Sequence, residues 1–173
     1  MQLNQFLLTT YENMLGSLDG WLAKAGEHEA GDALLERKLT EDMFPLARQI
    51  RFACNLPGEA MAGAAGVAYS SSDIDDATLA AARERVAATR ALIRGWRETP
   101  FGADEAPVEL SLANGMTFDL QTESYVRDWA LPQFYFHLMT AYAILRAAGL
   151  PLGKADYVGF MFQYMRQPAK PES

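Results

Sequence analysis

Apolar side chains recur at steps of three and four residues in four long stretches of the chain, and this spacing predicts four amphipathic helices. The predicted helices cover residues 3–25, a long element from about residue 43, residues 79–96 and residues 122–149. Gly26 supplies a stop for the first helix, and Gly149 followed by Pro151 supplies one for the fourth. A short helical turn is expected around residues 32–39.

Capping residues and prolines refine these boundaries. Residues 40–42, Thr-Glu-Asp, cap or favourably charge the start of the second helix, and Pro45 falls in or near its first turn. Pro57 in its interior is expected to bend or interrupt it. Residues 66–76 are expected to form a loop that ends in aspartate caps for the third helix, and Thr122 is expected to cap the fourth.

The spacing changes from helical to alternating in residues 108–120, VELSLANGMTFDL, around Asn114-Gly115. Both central residues tolerate a positive φ, so this stretch predicts a β-hairpin, which must pack against the helices because an isolated hairpin is only marginally stable. Apolar residues near the C-terminus recur at helical spacing and predict a short last helix, which covers either the bundle end or another subunit. These residues are Tyr157, Phe160, Met161, Tyr164 and Met165.

These elements predict an all-α fold, a four-helix bundle with a β-hairpin insertion before the last bundle helix and a short C-terminal helix. The 173 residues are expected to form a single domain, residues 1–173, because half of them are apolar and 21% are charged. Cys54 is the only cysteine, and we expect it to pack as a small apolar residue rather than act as a nucleophile.

A formal net charge of −7 argues against nucleic-acid binding, which draws most of its affinity from clustered lysine and arginine. Five arginines of the third helix are mixed with glutamates and indicate a solvated face; they are Arg83, Arg85, Arg90, Arg94 and Arg97. No membrane span is expected, since the longest uncharged run, residues 129–145, is shorter than the roughly 20 residues required. The N-terminal stretch lacks the features of a secretory signal, so we expect a cytoplasmic protein.

One polar stripe lies within the apolar fourth helix. Gln133, His137 and Thr140 are spaced by four and three residues and therefore share one face. Gln49 of the second helix points inward by the same periodicity that buries Leu46, so it could meet Gln133 and His137 across the interior. Buried polar groups need hydrogen-bond partners. The stripe is therefore either a ligand pocket or a polar network that fixes helix register.

The polar stripe contains too few of the residue types that usually bind a metal ion. A catalytic zinc usually needs three protein ligands, and only one inward histidine exists, because His28 lies in the polar connection after the first helix. No glycine-rich phosphate loop follows a strand, and no G-x-S-x-G elbow occurs.

Residues 41–54, EDMFPLARQIRFAC, residues 134–159, FYFHLMTAYAILRAAGLPLGKADYVG, and the hairpin resemble the bacterial domain-of-unknown-function family nineteen ninety-three, within the DinB/YfiT-like superfamily. The resemblance implies an up-down-down-up bundle, frequently dimeric. It also implies a metal held by three histidines in enzymes that use low-molecular-weight thiols. The corresponding positions here are Gln49, Gln133 and His137, so only His137 keeps the ligand type and the site is a degenerate metal site.

Three hypotheses follow. The leading one is a metal-free homodimer, a small-ligand-binding or structural protein with an inter-helix cavity lined by Gln49, Trp129, Gln133 and His137. The second is a metal-dependent transferase or hydrolase acting on a small thiol or electrophile, with zinc or nickel at His137 and a carboxylate such as Glu59 or Asp128. The third is an interaction module, which rests on the Met- and aromatic-rich C-terminal segment as a subunit interface.

Overall fold

A computed structural model describes residues 2–112 and 114–166. Six α-helical segments, one antiparallel pair of strands and three short segments of other helical types follow one another along this part of the chain. They are α1 Leu3–Gly26, a 3₁₀ helix Gly31–Glu36, α2 Leu46–Ala65, α3 Leu79–Gly95, β1 Pro107–Ser111, β2 Thr117–Gln121, α4 Thr122–Ser124, a π-helical segment Tyr125–Ala130, α5 Leu131–Ala147, α6 Lys154–Tyr157 and a 3₁₀ helix Gly159–Tyr164.

The four long helices form an up-down-down-up bundle, and side-chain contacts fix their directions. α1 runs parallel to α5, because Tyr11 contacts Phe134 and Trp21 contacts Tyr142. α2 runs antiparallel to α5, because Gln49 near the start of α2 contacts His137 well inside α5, while the hydroxyl of Tyr125 just before α5 donates to the carbonyl of Glu59 further along α2. The bundle predicted from the sequence, with its hairpin insertion, is confirmed.

The core lies where the apolar stripes of the helices meet, as their spacing predicts. Its largest fully buried side chains come mostly from α1 and include Trp21, Tyr11, Phe134, Leu7, Leu8 and Leu15. Cys54 is buried in this core, and burial raises the pKa of its thiol to about 12, so the sulfur stays protonated. No helix in the described ranges is long and apolar enough to span a membrane.

Two predicted boundaries were wrong, the start of α2 and the cap of α3. α2 begins at Leu46, with Pro45 as the preceding capping position, rather than near residue 43. Pro57 lies inside α2 without interrupting it. α3 is capped by the hydroxyl of Thr78, which accepts from the amide of Ala81 at 3.1 Å. The aspartates that were predicted to cap α3 form ion pairs instead. Asp75 pairs with arginines of α2 and Asp76 pairs with an arginine of α3, so both join the 66–78 connection to the helices.

The hairpin pairs β1 with β2 in the register Val108 opposite Leu120 and Leu110 opposite Phe118. Val108 is buried, and the side chains of Leu110 and Leu120 pack against the core, so the hairpin is anchored to the bundle by one face. Among the described residues of the turn, Gly115 alone has a positive φ. Asn114 contributes its side-chain oxygen instead, which accepts from the amide of Met116 at 3.1 Å.

The helix that follows the hairpin starts differently from the prediction. Gln121, not Thr122, is its N-terminal cap, and Thr122 donates its hydroxyl to the carbonyl of Ala106. The chain then makes a π-helical segment, Tyr125–Ala130, which the periodicity did not predict. Gly63 of α2 gives the Tyr125 ring room to lie against that helix, because a Cβ at Gly63 would stand 2.7 Å from the Tyr125 hydroxyl oxygen.

The C-terminal segment is shorter in α-helix than its spacing predicted. α6 covers four residues and is followed by the 3₁₀ helix Gly159–Tyr164. Tyr157 and Phe160 pack against the core. The other large apolar side chains of the segment are exposed; they are Met161, Phe162, Tyr164 and Met165.

Candidate functional site

Gln49 of α2 and His137 of α5 form a hydrogen-bonded pair between the two helices. Gln49 lies on the same face as Leu46 and Ile50, both fully buried, and is itself only 1% exposed. Its side-chain oxygen lies 2.8 Å from Nδ1 of His137. The sequence argument that these two polar residues meet between the helices is confirmed by this geometry, whereas their role in binding stays a prediction.

The hydrogen bonds around Gln49 fix the tautomer of His137. The amide nitrogen of Gln49 donates to the carbonyl oxygen of Phe44 at 3.3 Å, so the amide oxygen is the group that faces the imidazole. An amide oxygen can only accept, and therefore Nδ1 of His137 carries the proton. The lone pair of the neutral ring is then on Nε2, which has no hydrogen-bond partner in residues 2–112 and 114–166.

Burial keeps this imidazole neutral. Removal of the ring from water lowers the pKa of His137 from 6.5 to about 4, because desolvation penalises the charged form. At neutral pH the ring therefore presents an uncharged acceptor at Nε2 rather than a cation.

Aromatic rings surround the imidazole. The rings of Phe52 and His137 have centroids 4.6 Å apart, and Phe136 meets His137 edge to face at 5.2 Å. Phe44 contacts Phe52 in turn, and both Phe44 and Phe136 are about half exposed, at 47% and 56%. The neutral acceptor thus lies beside apolar rings that reach the protein surface.

The other two predicted site residues are less closely tied to this pair. Gln133 lies one turn before His137 on α5 and is half-buried, but it makes no hydrogen bond to Gln49 or His137. Trp129 belongs to the π-helical segment and packs against the core. None of the four predicted residues lines any of four surface clefts of about 300 to 580 Å³ in the described part of the chain.

The comparisons with known proteins agree with the fold. The family model described as "Domain of unknown function (DUF1993)" matches residues 3–158. The chain belongs to this family. It is also similar to the crystal structure of a DinB family member protein from Shewanella denitrificans, with 28% sequence identity and a TM-score of 0.72 over 95% of this chain and 93% of that chain. No curated protein matches this chain.

The donors present in this DUF1993 protein do not fit the three-histidine metal site that the DinB/YfiT-like resemblance implies. The described residues contain no group of three or more His, Cys, Asp or Glu side chains placed to hold a metal ion. The oxygen of Gln49 is engaged with Nδ1 of His137. The carboxylates suggested by the sequence have other partners, since Glu59 accepts from Ser71 and Asp128 pairs with Arg127.

A second feature of this DUF1993 protein was missed by the sequence reasoning. A cleft of about 420 Å³ lies between α1, α3 and the C-terminal segment, lined by Gly16, Trp21, Arg90 and Phe160 among others. The sequence argument assigned Arg90 to a solvated face together with its four neighbours. The available signal was the pair Gly16 and Gly20, one turn apart on α1, which removes two side chains from one helical face.

Proposed function

We propose that this chain is a metal-free, cytoplasmic binding protein for a small organic ligand, and that the Gln49–His137 pair is its recognition group. One observation carries the proposal. Nδ1 of His137 is committed to Gln49, so the neutral ring presents the lone pair of Nε2 to an incoming hydrogen-bond donor. We include Gln133 and Trp129 as flanking residues of this site.

The surroundings of the imidazole indicate the class of ligand. Phe52 and Phe136 contact the ring and are apolar, so they favour a ligand with an aromatic or aliphatic body. The acceptor at Nε2 favours one O–H or N–H donor on that body. With Nδ1–H bonded to Gln49, the neutral ring offers only the lone pair of Nε2, which can accept from a ligand but cannot donate to an anion. A neutral donor therefore matches this group better than an anion.

The experiment uses phenol as the probe and anisole as its matched control, since anisole has the same ring but no donor. Histidine side-chain nitrogens are followed by ¹⁵N NMR in protein that contains two histidines, His137 and His28. We expect phenol to shift the Nε2 signal of His137 and to bind about tenfold more tightly than anisole, which corresponds to one net hydrogen bond. The variant His28→Asn should bind phenol unchanged, and His137→Phe should lose this preference.

Equal affinity for phenol and anisole would contradict the proposal and return the Gln49–His137 pair to a purely structural role. A preference for phenol that survives in His137→Phe would show that the donor is recognised elsewhere.

The alternative function is a metal-dependent transferase or hydrolase acting on a small thiol or electrophile. The same free Nε2 lone pair supports it, because a neutral imidazole is a common ligand of zinc and nickel. Elemental analysis after dialysis against zinc, nickel and manganese distinguishes the two proposals. Near-stoichiometric metal that disappears in His137→Ala but remains in His28→Asn would overturn the metal-free proposal, and metal content that is unchanged in His137→Ala would end the alternative.

We also propose that the protein is a homodimer formed through its C-terminal segment. The support is the exposure of Met161, Phe162 and Tyr164, at 51%, 62% and 69%, on a segment whose Tyr157 and Phe160 are anchored to the core. Phe162→Asp should reduce the mass measured by sedimentation from that of a dimer to that of a monomer, while circular dichroism shows that the variant keeps its helical fold. Met116→Asp, an exposed apolar residue of the hairpin, is the control. A monomeric parent protein, or a dimer that survives Phe162→Asp, contradicts this interface.

A further inference from the structure

The cleft between α1, α3 and the C-terminal segment contains an arginine whose hydrogen bonds are not satisfied by the described residues. Nε of Arg90 is buried and makes no hydrogen bond to any residue in the described part of the chain. The other three arginines of α3, and Arg97 just after it, each pair with a carboxylate; the pairs are Arg83 with Asp19, Arg85 with Asp76, and Arg94 and Arg97 with Glu12. A buried N–H group without an acceptor is costly, so an acceptor for Arg90 would be stabilising.

Missing side chains on α1 create the space beside this guanidinium. A Cβ at Gly16 would stand 3.7 Å from Nη2 of Arg90, so the guanidinium lies directly against the α1 backbone at that glycine. Gly20, one turn further along α1, has no atom within 4 Å of the position that its Cβ would take. Together they leave the cleft of about 420 Å³, whose volume is within the range of small-molecule pockets.

Apart from the side-chain amide of Asn13, the other polar side chains that line the cleft already have partners. Nζ of Lys24 lies 2.6 Å from Oδ1 of Asp156, and the indole N–H of Trp21 donates to the backbone carbonyl of Asp156 at 3.1 Å. The hydroxyl of Ser17 donates to the carbonyl of Tyr157 at 2.9 Å. The carboxylate of Glu12 is held by two arginines. One unneutralised positive charge therefore remains at this cleft, that of Arg90.

We infer that this cleft binds a small organic carboxylate, held by the guanidinium of Arg90 and by the side-chain amide of Asn13. Arginine presents N–H groups in a planar fork that matches a carboxylate, and such charged hydrogen bonds are stronger than neutral ones. Asn13 also lines the cleft, and its amide has no partner within residues 2–112 and 114–166. The rings of Trp21 and Phe160 line the same cleft and would contact the apolar body of the ligand.

The test is calorimetric titration of the full chain with benzoate, with benzamide and acetate as controls. Benzamide keeps the ring without the charge, and acetate keeps the charge without the ring. We expect benzoate to bind at least about tenfold more tightly than either, since both parts of the cleft are then used. The side-chain Nε–H resonance of Arg90 should shift in ¹⁵N spectra on addition of benzoate and not on addition of benzamide.

Two variants separate the site from an effect of overall charge. Arg90→Met keeps the aliphatic stem and removes the donors, and we expect benzoate affinity to fall at least about tenfold. Arg83→Met removes the same charge from the same helix outside the cleft and should leave benzoate affinity unchanged. Gly20→Leu places a side chain in the open space and should abolish binding without lowering stability, because glycine is a poor helix former.

Saturable benzoate binding that is equal in Arg90→Met and in the parent chain would overturn the inference, as would the absence of saturable binding to the parent chain. The site is independent of the Gln49–His137 pair, so His137→Phe should bind benzoate normally. A loss of benzoate binding in His137→Phe would also contradict the inference.

Discussion

The two antiparallel helix pairs of this bundle are joined by different chemistry. Between α2 and α5, the neutral amide of Gln49 bonds to the neutral imidazole of His137 among aromatic rings. Between α1 and α3, exposed charges pair instead, as Arg83 does with Asp19 at 2.8 Å. Water competes with the exposed ion pairs but has little access to the buried hydrogen bond. The Gln49–His137 contact should therefore contribute to stability, and the Arg83–Asp19 contact should contribute little. Polar contacts of similar length therefore differ in how much they stabilise the fold.

The largest expected effect comes from Gln49→Leu, which tests the buried side of this comparison. The substitution leaves Nδ1–H of His137 without its acceptor in a desolvated place, and we expect the free energy of unfolding to fall by about 1 to 3 kcal/mol. Urea denaturation monitored by circular dichroism measures this change. Gln133→Leu is the matched control, because Gln133 lies on the facing helix and makes no hydrogen bond to this pair.

The double variant Gln49→Leu with His137→Phe sharpens the same test. Replacement of both partners by apolar side chains removes the unpaired donor, so the loss should be smaller than the sum of the two single losses. If Gln49→Leu and Gln133→Leu lowered the free energy of unfolding equally, the hydrogen bond between Gln49 and His137 would not stabilise the fold.

The second effect is a dependence of stability on pH that comes from the same pair. The pKa of His137 is lowered in the folded protein from 6.5 to about 4 by burial, so the unfolded chain binds a proton more readily than the folded one. The contribution of His137 to stability is therefore complete above pH 6.5 and is lost as the pH falls toward about 4. His137 is partly exposed, and solvent screening moderates the size of this loss.

Unfolding free energies at pH 7, 6, 5 and 4 check this dependence against the variant His137→Gln. The variant keeps an amide donor for Gln49 and does not titrate, so the difference in stability between parent and variant should shrink with each step to lower pH. A constant difference across this range would show that the imidazole is not desolvated in the folded state.

Periodicity predicted most of the bundle, because helix faces depend on the order of apolar and polar residues. It placed α1 and α3 within about one residue of their observed ends, and it directed Gln49 and His137 toward each other. It could not predict the π-helical segment Tyr125–Ala130, since an apolar spacing of three and four residues does not distinguish it from an α-helix, and the contact of Tyr125 with Gly63 joins residues far apart in the sequence. The spacing also left open whether Pro57 bends or interrupts α2, and the helix continues through this residue.

The two candidate sites also differ in whether the sequence could predict them. The partner of His137 followed from helical spacing, which is local information. The cleft beside Arg90 did not, because it depends on which one of five similar arginines lacks a carboxylate across the helix interface. That choice is made by the three-dimensional packing of α3 on α1, where Asp19 and Glu12 lie within reach of Arg83, Arg94 and Arg97.

A smaller effect is expected at a buried polar group that lacks a partner. The hydroxyl of Tyr11 is fully buried and has no hydrogen-bond partner in the described ranges. Tyr11→Phe removes that unpaired group, so the free energy of unfolding should stay unchanged or rise by about 1 kcal/mol. Tyr125→Phe is the matched comparison, because it deletes a hydroxyl that donates to Glu59, and it should lower stability. A marked loss in Tyr11→Phe, measured by urea denaturation, would reveal a partner such as a buried water.

The smallest effect is expected on the exposed side of the comparison, at the pair formed by Arg94 and Glu12. More than half of the Arg94 side chain is exposed, at 54%, so water and salt compete with the contact. Arg94→Gln should therefore change the free energy of unfolding by less than about 1 kcal/mol, and the change should shrink further in about 1 M sodium chloride. Glu12→Gln and the double variant complete a cycle that isolates the pair from the loss of one charge in an acidic chain. A salt-insensitive loss as large as that of Gln49→Leu would mean that the α1–α3 interface excludes water as well as the α2–α5 interface does, and the contrast between the two helix pairs would disappear.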